Sequence, residues 1–224
     1  MTLFEQLRAA IGGQWQAYTE HEFVRALGEG TLPLAAFQDY LVQDYLFLVQ
    51  FARANALAAY KSRSLADVAA ASEALQSILQ ETALHRRLTT RWGIMGPELD
   101  AAPEKQATVA YTRYVLDTGM SGDLLDLQVA LAPCTIGYAE IGTALASARN
   151  ARTDPPTGER SYEEWIQEYS GDAFQGAARA AVARLDALGG ADVSGQRFEQ
   201  LVQVFRTATR LEADFWQQAL DAAT

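Results

Sequence analysis

Apolar positions recur with a period near 3.6 along almost the whole chain. Alanine, leucine, glutamine and arginine are abundant and β-branched runs are short. No stretch alternates apolar and polar residues between paired turn signals. This pattern predicts helices over roughly 3–12, 14–28, 34–61, 65–92, 103–118, 122–148, 159–187 (broken near Gly171) and 195–222. The punctuation agrees. Gly28-Glu29-Gly30-Thr31-Leu32-Pro33 stops one helix and starts the next, with Pro33 near its first position. Trp92-Gly93 and then Gly96-Pro97 close the fourth. Gly119-Met120-Ser121-Gly122-Asp123 breaks the fifth, with Ser121 expected to cap the sixth. Asn150 to Gly158, holding Asp154-Pro155-Pro156-Thr157, is the clearest loop, and Gly189-Gly190 ends the penultimate helix. No period of about 20–50 residues repeats. The expectation is a single all-α domain over residues 1–224, a bundle of about eight helices.

Composition narrows the function. The 224 residues are 49% hydrophobic, ample for a core, and carry a formal net charge of −10. The pI of about 4.7 and the lack of any Lys/Arg stripe exclude a nucleic-acid partner, whose phosphates need clustered cations. No run of about 18 uncharged apolar residues occurs, so no membrane span is expected. Met1-Thr2-Leu3-Phe4-Glu5-Gln6-Leu7-Arg8 meets an acid early and turns amphipathic, unlike a signal peptide. One cysteine cannot form an internal disulfide, which fits a reducing cytoplasm. The two histidines, His21 and His85, are too few for most zinc or di-iron carboxylate sites, so neither metal nor cofactor is expected.

Three features break the helical pattern. Pro133-Cys134 sits inside a segment that otherwise reads as one long helix. Proline there removes the bond to the carbonyl of Val129 and kinks the helix. A lone thiol is ordinarily a small buried hydrophobe, so Cys134 becomes a candidate nucleophile only in company. Asp44 supplies some. Tyr40, Asp44, Phe47 and Phe51 follow i, i+4, i+7 and i+11, which puts one carboxylate in an aromatic face. Glu212 interrupts the stripe of Leu201, Phe205, Ala208 and Phe215, while Arg206, Arg210 and Asp214 lie on the wet side. Each acid needs a partner, either another helix or a ligand. Tyr138 falls one turn after Cys134, Tyr111 and Tyr114 are three apart, and Tyr169 precedes Ser170-Gly171-Asp172. A thiol, two carboxylates and several phenols in a helical bundle make a small aromatic pocket with a few polar groups. It suits a flat, nitrogen-rich aromatic ligand.

These residues carry a resemblance. Phe37-Gln38-Asp39-Tyr40-Leu41-Val42-Gln43-Asp44-Tyr45-Leu46-Phe47 with Phe51-Ala52-Arg53, Ala110-Tyr111-Thr112-Arg113-Tyr114, Pro133-Cys134 through Tyr138-Ala139-Glu140-Ile141-Gly142, Trp165-Ile166 with Tyr169-Ser170-Gly171-Asp172-Ala173-Phe174, and Glu212-Ala213-Asp214-Phe215-Trp216 run in one order over nearly the whole chain. In that order they resemble the TenA family, also called thiaminase II, in its cysteine-containing type. The resemblance implies a haem-oxygenase-like all-α fold and commonly a homotetramer. It implies hydrolysis of 4-amino-5-aminomethyl-2-methylpyrimidine to the 5-hydroxymethyl pyrimidine with release of ammonia, in thiamin salvage, and cleavage of thiamin by many members. Residue by residue, Cys134 matches the nucleophile, Glu212 the acid/base and Asp44 the anchor of the pyrimidine amino group. Tyr111, Tyr138 and Tyr169 match pocket phenols. Phe47 is a departure, since many relatives carry tyrosine there.

Such chemistry displaces a group from a CH₂ on a pyrimidine. It requires a thiolate that adds to the ring, an acid for ring nitrogen and an anchor for the 4-amino group. The alternatives are a catalytically silent binding or regulatory protein that keeps the pocket, and a haem or di-iron oxidase. The oxidases need ligands that His21, expected to cap or pack at a helix surface, and Glu81/His85, expected as a surface i,i+4 pair, do not provide.

Overall fold

The computed structural model describes residues 1–154, 162–190, 193 and 195–223, and among them no strand occurs. In chain order the helices are α1 (Leu3–Ile11), α2 (Gly13–Thr19), α3 (Glu22–Glu29), α4 (Leu34–Lys61), α5 (Leu65–Thr90), α6 (Gly96–Asp100), α7 (Gln106–Ser121) and α8 (Leu124–Ala132). A π-helical turn (Pro133–Gly137) leads into α9 (Tyr138–Asn150), followed by α10 (Glu163–Ser170), α11 (Asp172–Gly189) and α12 (Gly195–Asp221).

The predicted all-α class holds, and the deviations from the predicted elements have local causes. Residues 14–28 form two helices rather than one. His21 takes an extended backbone, and its ring nitrogen accepts the Phe23 N–H to start α3. His21 is thus the surface cap expected of it. Ser121 is not a cap. It ends α7, and Asp123 instead forms a reciprocal capping box with Asp126 at α8. Pro33 occupies the N-cap position of α4, and Gly96-Pro97 opens the short helix α6 rather than only closing α5. Residues 122–148 divide at Pro133, where the missing N–H opens the helix into a π turn instead of a simple kink. Part of the Asn150–Gly158 loop lies outside the described residues.

α12 is the central element. It packs against α1, α2, α3, α4, α7 and α8. Its stripe of Leu201, Phe205, Ala208, Phe215 and Trp216 is buried. Trp15 stacks on Phe205 at 5.4 Å between ring centroids, and Phe23 on Trp216 at 4.7 Å. Ring pairs of this kind add to the free energy of apolar burial. The stretch Leu124–Asn150 has the length and mean hydropathy, 1.3, of a membrane span. However, 61% of that window is buried in the protein itself, as in a core helix.

Two glycines allow close approach beside the π turn, one to a ring and one to backbone. Gly137 lies against the Tyr18 ring, whose hydroxyl donates to the Pro133 carbonyl at 3.2 Å. At Gly142 an added Cβ would meet the Tyr169 carbonyl carbon at 2.5 Å. Backbone cannot rotate away as a side chain can. Gly142→Ala is therefore expected to lower stability by about 2 kcal/mol, read as a lower urea midpoint.

Candidate active site

The residues singled out in the sequence meet between α4, α7, the π turn, α9, α10 and α12. Asp44 is 4% exposed and Glu212 2%. Tyr111, Tyr138, Tyr169 and Phe47 are also buried. Cys134, at the second position of the π turn, stays partly open.

Each acid has a partner. Tyr111 Oη donates to Glu212 Oε1 at 2.8 Å. Asp44 Oδ2 accepts from Tyr40 Oη at 2.9 Å and meets His85 Nε2 at 2.6 Å. Tyr40 Oη in turn accepts the Trp165 indole N–H at 3.0 Å. Tyr138 packs on Tyr169, with ring centroids 4.9 Å apart, and on Trp216 at 5.2 Å. Phe47 lies 5.0 Å from the Tyr111 ring, so that one wall is aromatic without a hydroxyl.

His85 corrects the sequence reading. The Glu81/His85 pair is not at the surface: His85 is fully buried. Its Nδ1 lies 3.0 Å from the Glu81 carbonyl oxygen, which can only accept, so Nδ1 carries the hydrogen. Burial pulls the imidazole pKa down, but the hydrogen bond and charge of Asp44, with the charge of Glu81, win and raise it to about 9. At neutral pH His85 faces Asp44 as an imidazolium. The Glu81 carboxyl accepts from Tyr169 Oη at 2.6 Å. Both residues were legible in principle. Ile78, Glu81, His85 and Leu88 follow i, i+3, i+7 and i+10, and Ile78 and Leu88 are core. This is the reasoning that singled out Asp44.

The electrostatics are those of a crowded acid pocket. Burial pushes Glu212 up to about 8; the Tyr111 hydrogen bond opposes the rise and the Asp44 charge adds to it. Burial likewise raises Glu81 to about 7, against the pull of His85 and Tyr169. The Cys134 thiol is held well above the usual thiol range by burial, then by Glu212, Glu81 and Asp44. At neutral pH the sulfur is therefore a neutral thiol. Any thiolate must form by passing its proton onward within the site.

Comparison with known proteins gives the family. The model of the TENA/THI-4/PQQC family matches residues 8–222. The chain belongs to that family. It is similar to an aminopyrimidine aminohydrolase of Halalkalibacterium halodurans, 38% identical over 208 residues, 92% of this chain and 89% of that protein. It is 39% identical over 221 residues to an uncharacterized protein of Haemophilus influenzae, covering 99% of this chain and 100% of the other. Among solved structures it resembles a protein of Silicibacter sp. TM1040 described as a TenA family transcription regulator, with a TM-score of 0.90, 43% identity, and coverage of 97% and 96% of the two chains. With relatives named aminopyrimidine aminohydrolase at 29–38% identity over most of its length, this TenA family member is a hydrolytic enzyme.

Glu140 accepts from Arg8 and from the Trp15 indole, both at 2.9 Å. Among the described residues no three His, Cys, Asp or Glu side chains cluster as metal ligands. A cavity of about 610 Å³ lies between α5 and α11. Its lining includes Phe51, Glu81, Leu131, Thr135 and Phe174, so it reaches the residue that follows Cys134.

Proposed function

We propose that the protein hydrolyses 4-amino-5-aminomethyl-2-methylpyrimidine to the 5-hydroxymethyl pyrimidine and ammonia, a salvage step for thiamin, by covalent catalysis at Cys134. The observation that carries the reading is the meeting of the chain's single thiol with two separately tethered acids, Glu212 on Tyr111 and Asp44 on His85, in a buried aromatic pocket.

In this reading the Cys134 sulfur bonds to the pyrimidine ring carbon next to a ring nitrogen. The thiol proton passes through Glu212 to that nitrogen, and aromaticity is lost. The electron-rich adduct then breaks the bond from the methylene to the amine, whose nitrogen leaves with the electron pair. Water adds to the exposed methylene and gives a proton to Glu212. The carbon–sulfur bond breaks, its electrons return to sulfur, and the sulfur takes the proton held by Glu212. The ring nitrogen then gives its proton to the Glu212 carboxylate, the ring regains aromaticity, and that proton departs with the ammonia. One hard displacement becomes two easier steps. Asp44, oriented by Tyr40 and His85, accepts from the 4-amino group. Tyr138 and Tyr169 wall the ring. Thiamin, which carries the same pyrimidine methylene, is a second substrate. The same reading places the enzyme in the cytoplasm as a homotetramer that needs no metal or cofactor.

The test is to incubate the pure protein separately with the aminomethyl pyrimidine and with thiamin and compare kcat/KM. Ammonia and hydroxymethyl pyrimidine are expected from the first. No turnover of either compound overturns the proposal.

A further inference from the structure

We infer that Glu81 and the cavity between α5 and α11 recognise the group that leaves the pyrimidine methylene, and that they select leaving groups carrying positive charge. This deepens the proposed function and rests on it for the identity of the ring.

Position comes first. Glu81 is one of the residues that line the cavity, and its hydrogen bond from Tyr169 at 2.6 Å ties it to the pyrimidine pocket. Thr135, which follows Cys134 in the π turn, lines the same cavity. A ring held over Cys134 can therefore direct its methylene substituent at Glu81. Size comes second. At about 610 Å³ the cavity falls in the range of small-molecule sites, about 300–1,000 Å³. A bare ammonium would occupy little of it, whereas a heteroaromatic cation fits. Charge comes third. The lining includes Asp67, Glu73, Glu81 and Glu168 against one cation, Arg184, which is paired to Asp67. Phe51 and Phe174 in the same lining add aromatic rings, whose faces attract cations.

An ammonium or thiazolium substituent meets this field before the bond breaks. It departs as a neutral amine or thiazole, taking the electron pair of the broken carbon–nitrogen bond. The hydroxymethyl product carries no charge. The same carboxyl that holds the substrate therefore has little grip on either product, which favours release over rebinding.

The experiment measures dissociation constants by calorimetry at pH 8 with two ligands that differ in this charge, the aminomethyl pyrimidine and the hydroxymethyl pyrimidine. Cys134→Ser protein is used so that no turnover intervenes. The amine is expected to bind about 10- to 100-fold tighter than the alcohol. Adding Glu81→Gln collapses that ratio to near unity, weakens thiamin to a similar extent and leaves the alcohol within about twofold. Adding Tyr169→Phe instead, which removes the hydrogen bond and keeps the charge, preserves the preference for the amine. An amine-to-alcohol ratio unchanged by Glu81→Gln overturns the assignment, as does an equal loss for both ligands. Binding does not require chemistry. A charge preference that depends on Glu81 in a protein whose wild type turns nothing over would sink the catalytic reading and leave this one standing.

Discussion

Replacing Cys134 with serine lowers kcat for the aminomethyl pyrimidine by about 10⁴-fold, with binding of the pyrimidine largely retained. The size follows from the chemistry. Direct displacement at the methylene gets no help from the aromatic ring, and only addition of a strong nucleophile to that ring unlocks it. A serine hydroxyl has the shape but is a poorer nucleophile and gives up its proton far less readily. Three acids around position 134, Glu212, Glu81 and Asp44, raise the cost further for any anion formed there. The fold is expected to survive, because serine nearly matches cysteine in size and Cys134 is only partly buried where it packs on the core. The check is single-turnover kinetics together with a denaturation curve. Near-normal turnover in a folded variant would exclude covalent catalysis.

Glu212→Gln is expected to lose about 10³-fold in kcat/KM and to change two pH profiles in opposite senses. In the wild type, thiol and acid must share a single proton for the thiol proton to reach the ring. With the thiol held high and Glu212 at about 8, the pair carries two protons below pH 8 and one above it. Activity therefore rises through about pH 8 and falls near pH 9, where His85 loses the proton it presents to Asp44. The rising limb should vanish in Glu212→Gln.

Stability moves the other way. Burial holds the Glu212 pKa above its usual carboxylate value, so the folded state binds a proton that the unfolded chain has released. Its contribution is fully present below the ordinary carboxylate range, near pH 4.5, and is lost as pH rises to about 8. Glutamine cannot ionise and still accepts from Tyr111. The variant should match the wild type near pH 4.5 and exceed it by about 2 kcal/mol at pH 9, seen as crossing urea-denaturation curves against pH. A variant less stable than the wild type at pH 9 would show that Glu212 is not a strained buried acid.

How far the site could be read from the sequence depended on the kind of signal. Asp44 and Glu212 stood out because each interrupts an apolar stripe, and a single helix defines that stripe. Cys134 stood out because proline in a helix is locally disallowed. Glu81 and His85 lie on an equally regular stripe of α5, but glutamate and histidine four residues apart also make an ordinary solvent-facing pair. Only the packing of α5 on α4, which brings His85 Nε2 within 2.6 Å of Asp44, separates the two cases. The break at His21 was missed for a related reason. An imidazole that accepts a backbone N–H two residues on is a cap only once the chain has turned.

The sequence alone determined the all-α class, most helix boundaries and the odd polar residues, because period, caps and prolines act within a few residues along the chain. The tertiary structure decided which of those residues meet. It pairs Asp44 with an imidazolium and Glu212 with a phenol, and it leaves a cavity lined by Glu81 and by Thr135, the residue after Cys134. Partner, protonation state and open space are properties of the packing between helices. A change in the angle of one helix would alter all three without altering a residue.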